Sequence, residues 1–67
     1  MAKITLEAAR RNANLTQVEL AEKMHVSKQS VFDWENGKRR MKPAYLYLFC
    51  SITGFNVDDI LLPEITT

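Results

Sequence analysis

The sequence has little of several features that would assign it to particular protein classes. It has one cysteine and one histidine, so it can form neither an internal disulfide nor a zinc site built from these two residue types. Its longest apolar run, Ala44 to Cys50, is far shorter than the roughly 20 residues of a membrane-spanning helix. The N-terminus shows no signal-peptide pattern. We therefore expect a cytoplasmic protein in a reducing environment, associated with the nucleoid if it binds DNA.

The length and the charge distribution limit the possibilities further. The 67 residues suffice for one small domain, and we expect a single domain over 1–67 with a core at about 4–63 and a short tail at 64–67. The net charge is only +1, but the segment from Ser27 to Pro43 contains five basic residues and two acidic ones. The last ten residues contain three acids and no base. This asymmetry favours a basic face, although most charge clusters are ordinary solvated surface.

Residues that start and stop helices recur along the chain, whereas no segment alternates as a strand would. The pattern predicts a compact all-α fold of five helices. We expect a first helix capped by Thr5 and ending near Asn12 to Asn14, a second opened by the capping box Thr16 to Glu19 and ending near Met24, a third between Ser27 and Asn36-Gly37, a fourth from Pro43 to Thr53, and a short fifth between Asn56 and Pro63.

The connection between the second and third predicted helices is very short. Only His25 and Val26 separate Met24 from the capping residue Ser27. A link of this length makes the helices cross steeply, which is the geometry of a helix-turn-helix, and the small side chain of Ala21 allows the close approach. Other helical hairpins share such a link, so the geometry alone leaves DNA binding as one of two interpretations.

The third helix has two different faces when residues are placed about 100° apart. Val31 and Trp34 fall on one face and suit the core. The other face carries a mixed polar and aromatic set: Lys28, Gln29, Phe32, Asp33 and Asn36. Lysine pairs with guanine, glutamine pairs with adenine, an apolar group contacts the thymine methyl, and a carboxylate accepts from cytosine N4. This face therefore has the residue types that read base edges in a major groove.

Two residues on this face have a second interpretation. Asp33 either accepts from a cytosine, or it only solvates the helix or pairs with a neighbouring cation such as Lys28 or Arg39. Phe32 either contacts a thymine methyl or is a partly buried ring at the helix edge. Both alternatives stay open on the sequence.

Candidate phosphate ligands follow the third helix in the chain. They are basic residues in the loop after Asn36-Gly37, namely Lys38, Arg39, Arg40 and Lys42. Asparagine, lysine and arginine side chains commonly hold DNA phosphates. Gln17, at the positive end of the second helix, is a further candidate because first-turn N–H groups attract anions.

The stretch Leu15 to Lys38, LTQVELAEKMHVSKQSVFDWENGK, resembles the helix-turn-helix of the phage lambda-type repressor and Cro family, also called XRE-like. The flanking segments ITLEAARRNANLTQ and GFNVDDILLP are similar to those of phage and prophage regulators, so the resemblance spans about Ile4 to Pro63. It implies a lambda repressor-like DNA-binding domain that regulates transcription, as a repressor of phage or prophage type. It implies no catalysis, no metal and no cofactor.

The resemblance also implies roles for individual residues. Base contacts are implied for Lys28, Gln29 and Asp33, and a base or backbone contact for Ser27. Phosphate contacts are implied for Gln17, Asn36, Lys38 and Arg40. A buried ion pair between Arg10 and Glu35 is implied as a structural element. Relatives often have glycine where this chain has Asn14 and His25, and both residue types tolerate a left-handed backbone.

Such relatives bind palindromic operators in double-stranded DNA as dimers, so we expect a homodimer, formed in solution or only on DNA. In the fourth helix we expect Leu48, Phe49 and Ile52 to face the core. An outward apolar patch would then be the dimer surface, made of Leu46, Tyr47, Cys50, Val57 and Ile60. Scattered exposed apolar residues are common, so an ordinary surface is the alternative.

Two other functional classes compete with DNA binding. A protein-interaction module, such as an antitoxin-like partner, could use the same helices, and an extended tail that wraps a partner would favour it. We expect only residues 64–67 beyond the core. A small enzyme is disfavoured because the sequence has no arrangement of nucleophile, base and orienting residue and no glycine-rich phosphate loop. Salt-dependent binding to duplex DNA separates these classes.

Overall fold

The helices form where capping residues begin them, as the sequence predicts. The computed structural model describes residues 3–66, so residues 1, 2 and 67 of the expected domain lie outside the described part. The elements are β1 (Ile4–Thr5), α1 (Leu6–Asn12), α2 (Gln17–Met24), α3 (Lys28–Glu35), α4 (Pro43–Thr53), a 3-10 turn (Val57–Asp59) and β2 (Ile60–Leu61). The described chain is mostly helical, as expected for its sequence pattern.

The start of each α-helix matches the prediction. The Thr5 hydroxyl accepts from the Ala8 N–H at 3.1 Å and caps α1. Thr16 and Glu19 form the reciprocal capping box of α2, and Ser27 accepts from the Ser30 N–H to cap α3. Pro43 occupies the first turn of α4, where its missing N–H costs no hydrogen bond.

The ends of α1 and α2 share one backbone device. Asn14 and His25 both adopt the left-handed conformation, with φ of 61° and 58°. In each case the next N–H reaches back five residues: Leu15 to the Arg10 carbonyl and Val26 to the Ala21 carbonyl. This is the Schellman arrangement, which satisfies carbonyls at a helix end and turns the following apolar residue inward. Leu15 and Val26 accordingly pack against the core.

The prediction of a fifth helix was wrong. The segment forms a single 3-10 turn, closed by the Asp59 N–H on the Asn56 carbonyl at 3.0 Å. Ile60 then leaves the turn because it pairs with Ile4 in a two-stranded parallel sheet. This pairing joins the two ends of the described chain, and strands of two residues are too short to leave an alternating pattern in the sequence.

The core lies between the four helices and β2. Its buried apolar residues are Leu6, Ala9, Leu20, Ala21, Met24, Val31, Trp34, Met41, Phe49, Cys50 and Ile60. Leu6, Ala9, Trp34 and Phe49 bring together α1, α3 and α4 around the crossing of α2 and α3.

Most of the predicted dimer patch is covered, although Phe49 and Ile52 face the core as expected. Cys50 and Ile60 are buried, Leu46 and Val57 are half-buried against the core, and only Tyr47 is well exposed, at 63%. α4 is apolar around most of its circumference, so the sequence did not identify the whole of its inward side. Contacts with α1 and α2 select the stripe that contains Leu46, Phe49 and Cys50, and they leave Leu48 exposed. Burial raises the pKa of the Cys50 thiol, which favours its neutral form.

The segment expected to be a short tail packs against the end of α3. Gly37 has a φ of +72°, and a Cβ at this position would collide with the carbonyl oxygen of Glu64. The Thr66 N–H donates to the Gly37 carbonyl at 2.9 Å. The C-terminal segment therefore supports the turn that leads from α3 into the basic loop.

Candidate nucleic-acid interface

One side of α3 is held by the core, and this determines which side is free. Val31 and Trp34 are buried, as predicted from their spacing. The Trp34 ring also packs against Tyr45 of α4, with ring centroids 5.2 Å apart. Leu20 and Met24 of α2 are buried in the same core. Because this side of α3 is anchored by large apolar contacts, the opposite side faces solvent in a defined orientation.

Three of the predicted base-contact residues lie together on that exposed side. Lys28, Gln29 and Phe32 are exposed and line a shallow depression at the N-terminal half of α3. Phe32 is 39% exposed, so its ring is partly packed and partly available. Ser27 has a local role, because its hydroxyl accepts from the Ser30 N–H and lies 3.1 Å from the Ser30 hydroxyl.

Asp33 is enclosed by its neighbours, although it lies on the same side of α3. Its Oδ1 accepts from Gln29 Nε2 at 2.9 Å, and its Oδ2 lies 4.0 Å from Arg39 Nη2. Arg39 also donates from Nη1 to the Ser30 hydroxyl at 3.1 Å. The Asp33 side chain is only 17% exposed. We call these four residues, Gln29, Ser30, Asp33 and Arg39, the outer cluster.

A second carboxylate cluster lies on the buried side of the same helix. Glu35 Oε2 accepts from Arg10 Nε at 2.7 Å, and Glu35 Oε1 accepts from Gln17 Nε2 at 3.0 Å. Arg10 also donates from Nη1 to the Leu15 carbonyl at 2.8 Å. The Arg10 and Glu35 side chains are 8% and 4% exposed. We call Arg10, Gln17 and Glu35 the inner cluster, and it connects α1, α2 and α3.

The ion pair of Arg10 and Glu35 that the resemblance implies is thus present. Gln17 has a structural contact that the sequence did not predict, because its amide donates to Glu35. Its predicted phosphate contact stays a prediction. The Glu19 N–H of the first turn of α2 already donates to the Thr16 hydroxyl. The N–H groups of Gln17 and Val18 are the other groups there that attract an anion.

The basic loop after α3 presents its predicted phosphate ligands at the surface. Lys38, Arg39, Arg40 and Lys42 are exposed, while Met41 is buried and anchors the loop to the core. The Asn36 side chain donates to the Phe32 carbonyl at 2.8 Å, so it closes the last turn of α3. Two residues fix the position of the loop: Met41 is buried in the core, and Arg39 contacts α3.

The start of α2 carries a perturbed carboxylate. The Thr16 N–H donates to Glu19 Oε1 at 2.9 Å, and the Glu19 N–H donates to the Thr16 hydroxyl at 3.1 Å. The hydrogen bond from the Thr16 backbone is the larger cause that lowers the pKa of Glu19, and the hydrogen bond with the Thr16 side chain lowers this pKa further. Next to this cap, the polar residues that line an open groove include Glu7, Arg11, Gln17 and Lys28.

Sequence reasoning missed Ser30 and its contact with Arg39, whereas the pair of Asp33 and Arg39 was one of the alternatives that it gave for Asp33. Ser30 follows Ser27 by three residues, which puts the two hydroxyls on neighbouring positions of a helix surface, and this spacing was the available signal. Arg39 lies nine residues after Ser30, so its contact depends on the path of the loop after Gly37. The sequence offered no signal for that path.

Comparisons with known proteins agree with this geometry. Neither the curated proteins nor the solved structures include a significant match to the chain. Within residues 3–66, no helix is long and apolar enough to cross a membrane, and no group of metal-ligating side chains comes together. A family model described as helix-turn-helix matches residues 6–60, which include α1 to α4 and the 3-10 turn. The chain belongs to this helix-turn-helix family, of the XRE/Cro/C1 type, whose members bind DNA and are not enzymes.

Proposed function

We propose that the protein regulates transcription by binding a specific sequence of double-stranded DNA, with α3 in the major groove. DNA binding follows from its membership of the helix-turn-helix family. The proposal adds that this binding is sequence-specific and that α3 reads the bases. The observation that supports it most is the exposed side of α3, where Lys28, Gln29 and Phe32 lie next to a loop of exposed cations.

The proposed contacts fall into two groups, one that distinguishes sequences and one that positions the helix. The base-reading group comprises Ser27, Lys28, Gln29 and Phe32, and Asp33 lies beside them on the same side of α3. The phosphate-binding group comprises Gln17, Asn36, Lys38, Arg39, Arg40 and Lys42. Lysine and glutamine at the start of α3 suit guanine and adenine, and the half-exposed ring of Phe32 suits a thymine methyl.

A salt titration with duplex DNA tests the proposal. Contacts to several phosphates predict that log affinity falls by about 0.9 per log unit of salt for each phosphate. Arg40→Ala should reduce this slope by about 1 if Arg40 holds a phosphate. Lys23→Ala removes an exposed lysine of α2 outside the proposed contact group and should leave the slope unchanged. Absence of salt-dependent binding to every duplex in a random pool would contradict the proposal.

We further propose that the protein is a repressor of phage or prophage type. The support is the resemblance of Leu15 to Lys38 and of its flanking segments to such regulators. A promoter-reporter assay with the selected site placed across the promoter checks this. Reduced expression that depends on the site is expected, and increased expression would indicate an activator.

A palindromic operator bound by a homodimer is the proposed arrangement, with half-sites about 10 base pairs apart. Tyr47 supports it as the most exposed of the apolar residues on α4. Tyr47→Glu should lower cooperative binding to a two-half-site duplex, because it places a charge in the apolar contact. Its affinity for a single half-site should match that of the unchanged protein, and unchanged cooperativity on the palindrome would contradict the role of Tyr47.

A further inference from the structure

The Asp33 carboxylate does not have the environment of a group that reads a base. One oxygen of Asp33 already accepts a hydrogen bond from this chain, and the other lies at ion-pair distance from an arginine. Gln29 Nε2 lies 2.9 Å from Oδ1, and Arg39 Nη2 lies 4.0 Å from Oδ2. Only 17% of the Asp33 side chain is exposed.

Arg39 brings a compensating charge to this carboxylate. It is held against α3 by two contacts, one to Asp33 and one to the Ser30 hydroxyl at 3.1 Å. An acid close to DNA phosphates would normally weaken binding by repulsion of like charges. A guanidinium beside the acid reduces this repulsion, so the carboxylate can remain next to the DNA-facing side of α3.

The contact with Asp33 selects one orientation of the Gln29 amide. An ionised carboxylate only accepts hydrogen bonds, so the amide group that faces it must be the Nε2 donor. Oε1 of Gln29 is thereby directed away from Asp33, and one Nε2 hydrogen remains for another partner. Without this contact the amide could present either end, because its terminal torsion is broad and roughly two-fold.

The orientation of Gln29 matters because bases differ in the pattern that they present. Adenine offers the N6 donor and the N7 acceptor, whereas guanine offers two acceptors, O6 and N7. A glutamine that presents Oε1 together with one Nε2 hydrogen matches adenine at both positions. The same amide would direct its oxygen at an acceptor of guanine.

We propose that Asp33 is a positioning residue that orients the Gln29 amide to read adenine, with Arg39 balancing its charge, and that Asp33 does not itself read cytosine. This inference rests on the proposed function, since it requires the exposed side of α3 in the major groove. It replaces the cytosine contact that the sequence left open for Asp33, keeps the pairing with Arg39, and adds a role that depends on Gln29.

Selection from random duplexes, followed by binding to single-base variants of the selected site, tests this role. Gln29→Ala should lose the adenine preference at one base pair by about 5- to 150-fold. Asp33→Ala should weaken the preference at that same base pair by about 2- to 10-fold, because the amide must then be ordered on binding. Asp33→Asn places there an amide that can donate as well as accept, so it no longer selects one orientation of Gln29. It should weaken the preference at that base pair while raising affinity for all duplexes.

The matched control is Glu22→Gln, which removes one negative charge from an exposed acid of α2. It should raise affinity for all duplexes slightly and leave every base preference unchanged. Thermal unfolding of each variant verifies that the fold is intact, and a purely structural role of Asp33 would lower stability without altering base preference. A change of preference at a different base pair in Asp33→Ala would overturn the inference, as would unchanged preferences throughout.

A measurement without DNA separates this inference from the proposed function. In the nuclear magnetic resonance spectrum of the free protein, one Gln29 Nε2 hydrogen should be shifted by its bond to the carboxylate, and Asp33→Ala should abolish the shift. An identical Gln29 signal in both proteins would overturn the positioning role even where DNA binding is sequence-specific. A shifted signal in a protein that binds no duplex would instead reject the proposed function.

Discussion

The inner and outer clusters contain the same chemical groups in different surroundings. Each is centred on a carboxylate of α3 with an arginine and a glutamine beside it, and the two carboxylates, Glu35 and Asp33, are two residues apart. Glu35 accepts hydrogen bonds from both partners, whereas Asp33 accepts from Gln29 and forms only a longer ion pair with Arg39. In the inner cluster the closest arginine nitrogen lies 2.7 Å from the carboxylate, and the paired side chains are 8% and 4% exposed. In the outer cluster the closest arginine nitrogen lies 4.0 Å from the carboxylate, and the Arg39 and Asp33 side chains are 57% and 17% exposed.

The difference shows that surroundings, more than residue type, decide what a carboxylate cluster does. Buried charges must remain paired because removal of one partner leaves an ion without water or counter-charge. Pairs at the surface contribute little to stability, since water and salt screen them. The inner cluster is therefore suited to hold three helices together. The outer cluster can be rearranged at small cost, which suits residues that meet a ligand.

Replacing the two arginines gives the largest expected contrast. Arg10→Ala should lower the free energy of unfolding by about 3–5 kcal/mol, because it leaves the Glu35 carboxylate buried without its partner. Arg39→Ala should lower it by less than about 1 kcal/mol. Urea denaturation measures both. Arg11→Ala breaks an exposed pair with Glu7 on the same helix as Arg10, and it should cost only about 0.3–0.5 kcal/mol. Similar losses for Arg10→Ala and Arg11→Ala would contradict the structural role of the inner cluster.

The turn at Gly37 separates Glu35 of the inner cluster from Arg39 of the outer one. Gly37→Ala should lower the free energy of unfolding by about 2–4 kcal/mol, through its left-handed backbone and the collision with the Glu64 carbonyl. Gly54→Ala is the control, since its φ is +86° but no atom lies within 4 Å of the added Cβ. It should cost about 1–2 kcal/mol. Equal losses in thermal or urea unfolding would show that the contact with the C-terminal segment contributes nothing.

The glutamines of the two clusters, Gln17 in the inner one and Gln29 in the outer one, allow a second comparison of buried and exposed contacts. Gln17→Ala should lower the free energy of unfolding by about 1–2 kcal/mol, because Gln17 donates to the buried Glu35. Gln29→Ala should change stability by less than about 0.5 kcal/mol, since its bond to Asp33 is at the surface. Parallel urea titrations measure both variants. A larger stability loss for Gln29→Ala than for Gln17→Ala would reverse the assignment of the two clusters.

The smallest effect is expected at a third carboxylate, Glu19, which is exposed and bonded to Thr16. Because its pKa is lowered in the folded protein, its stabilising contribution is present above the ordinary value of 4.5 and is lost as the pH falls through the lowered value. Urea denaturation at about pH 6 and about pH 3 should therefore show a smaller acid-induced loss of stability in Glu19→Gln than in the unchanged protein. Glu22→Gln, which removes an exposed acid from the same helix, is the charge-matched control.

Prediction from the sequence succeeded where neighbouring residues decide the outcome and failed where distant segments do. The caps at Thr5, Thr16 and Ser27 depend on groups three residues away, so each could be read locally. The inward side of α4 and the burial of Ile60 depend on which helices and which strand pack there. Those contacts join residues far apart in the chain, and apolar composition alone does not distinguish them.

The sequence by itself predicted the helix boundaries, the turn between α2 and α3 and the residue types on the exposed side of α3. It could do so because capping and helical periodicity act within one or two turns. The resemblance of the segment from Leu15 to Lys38 to a helix-turn-helix family indicated DNA binding without any tertiary contact. Only the tertiary structure decided that Asp33 is enclosed by Gln29 and Arg39 and that Gln17 joins Arg10 at Glu35. These side chains meet through the crossing of α2 and α3 and the path of the loop after Gly37, which helical periodicity does not encode.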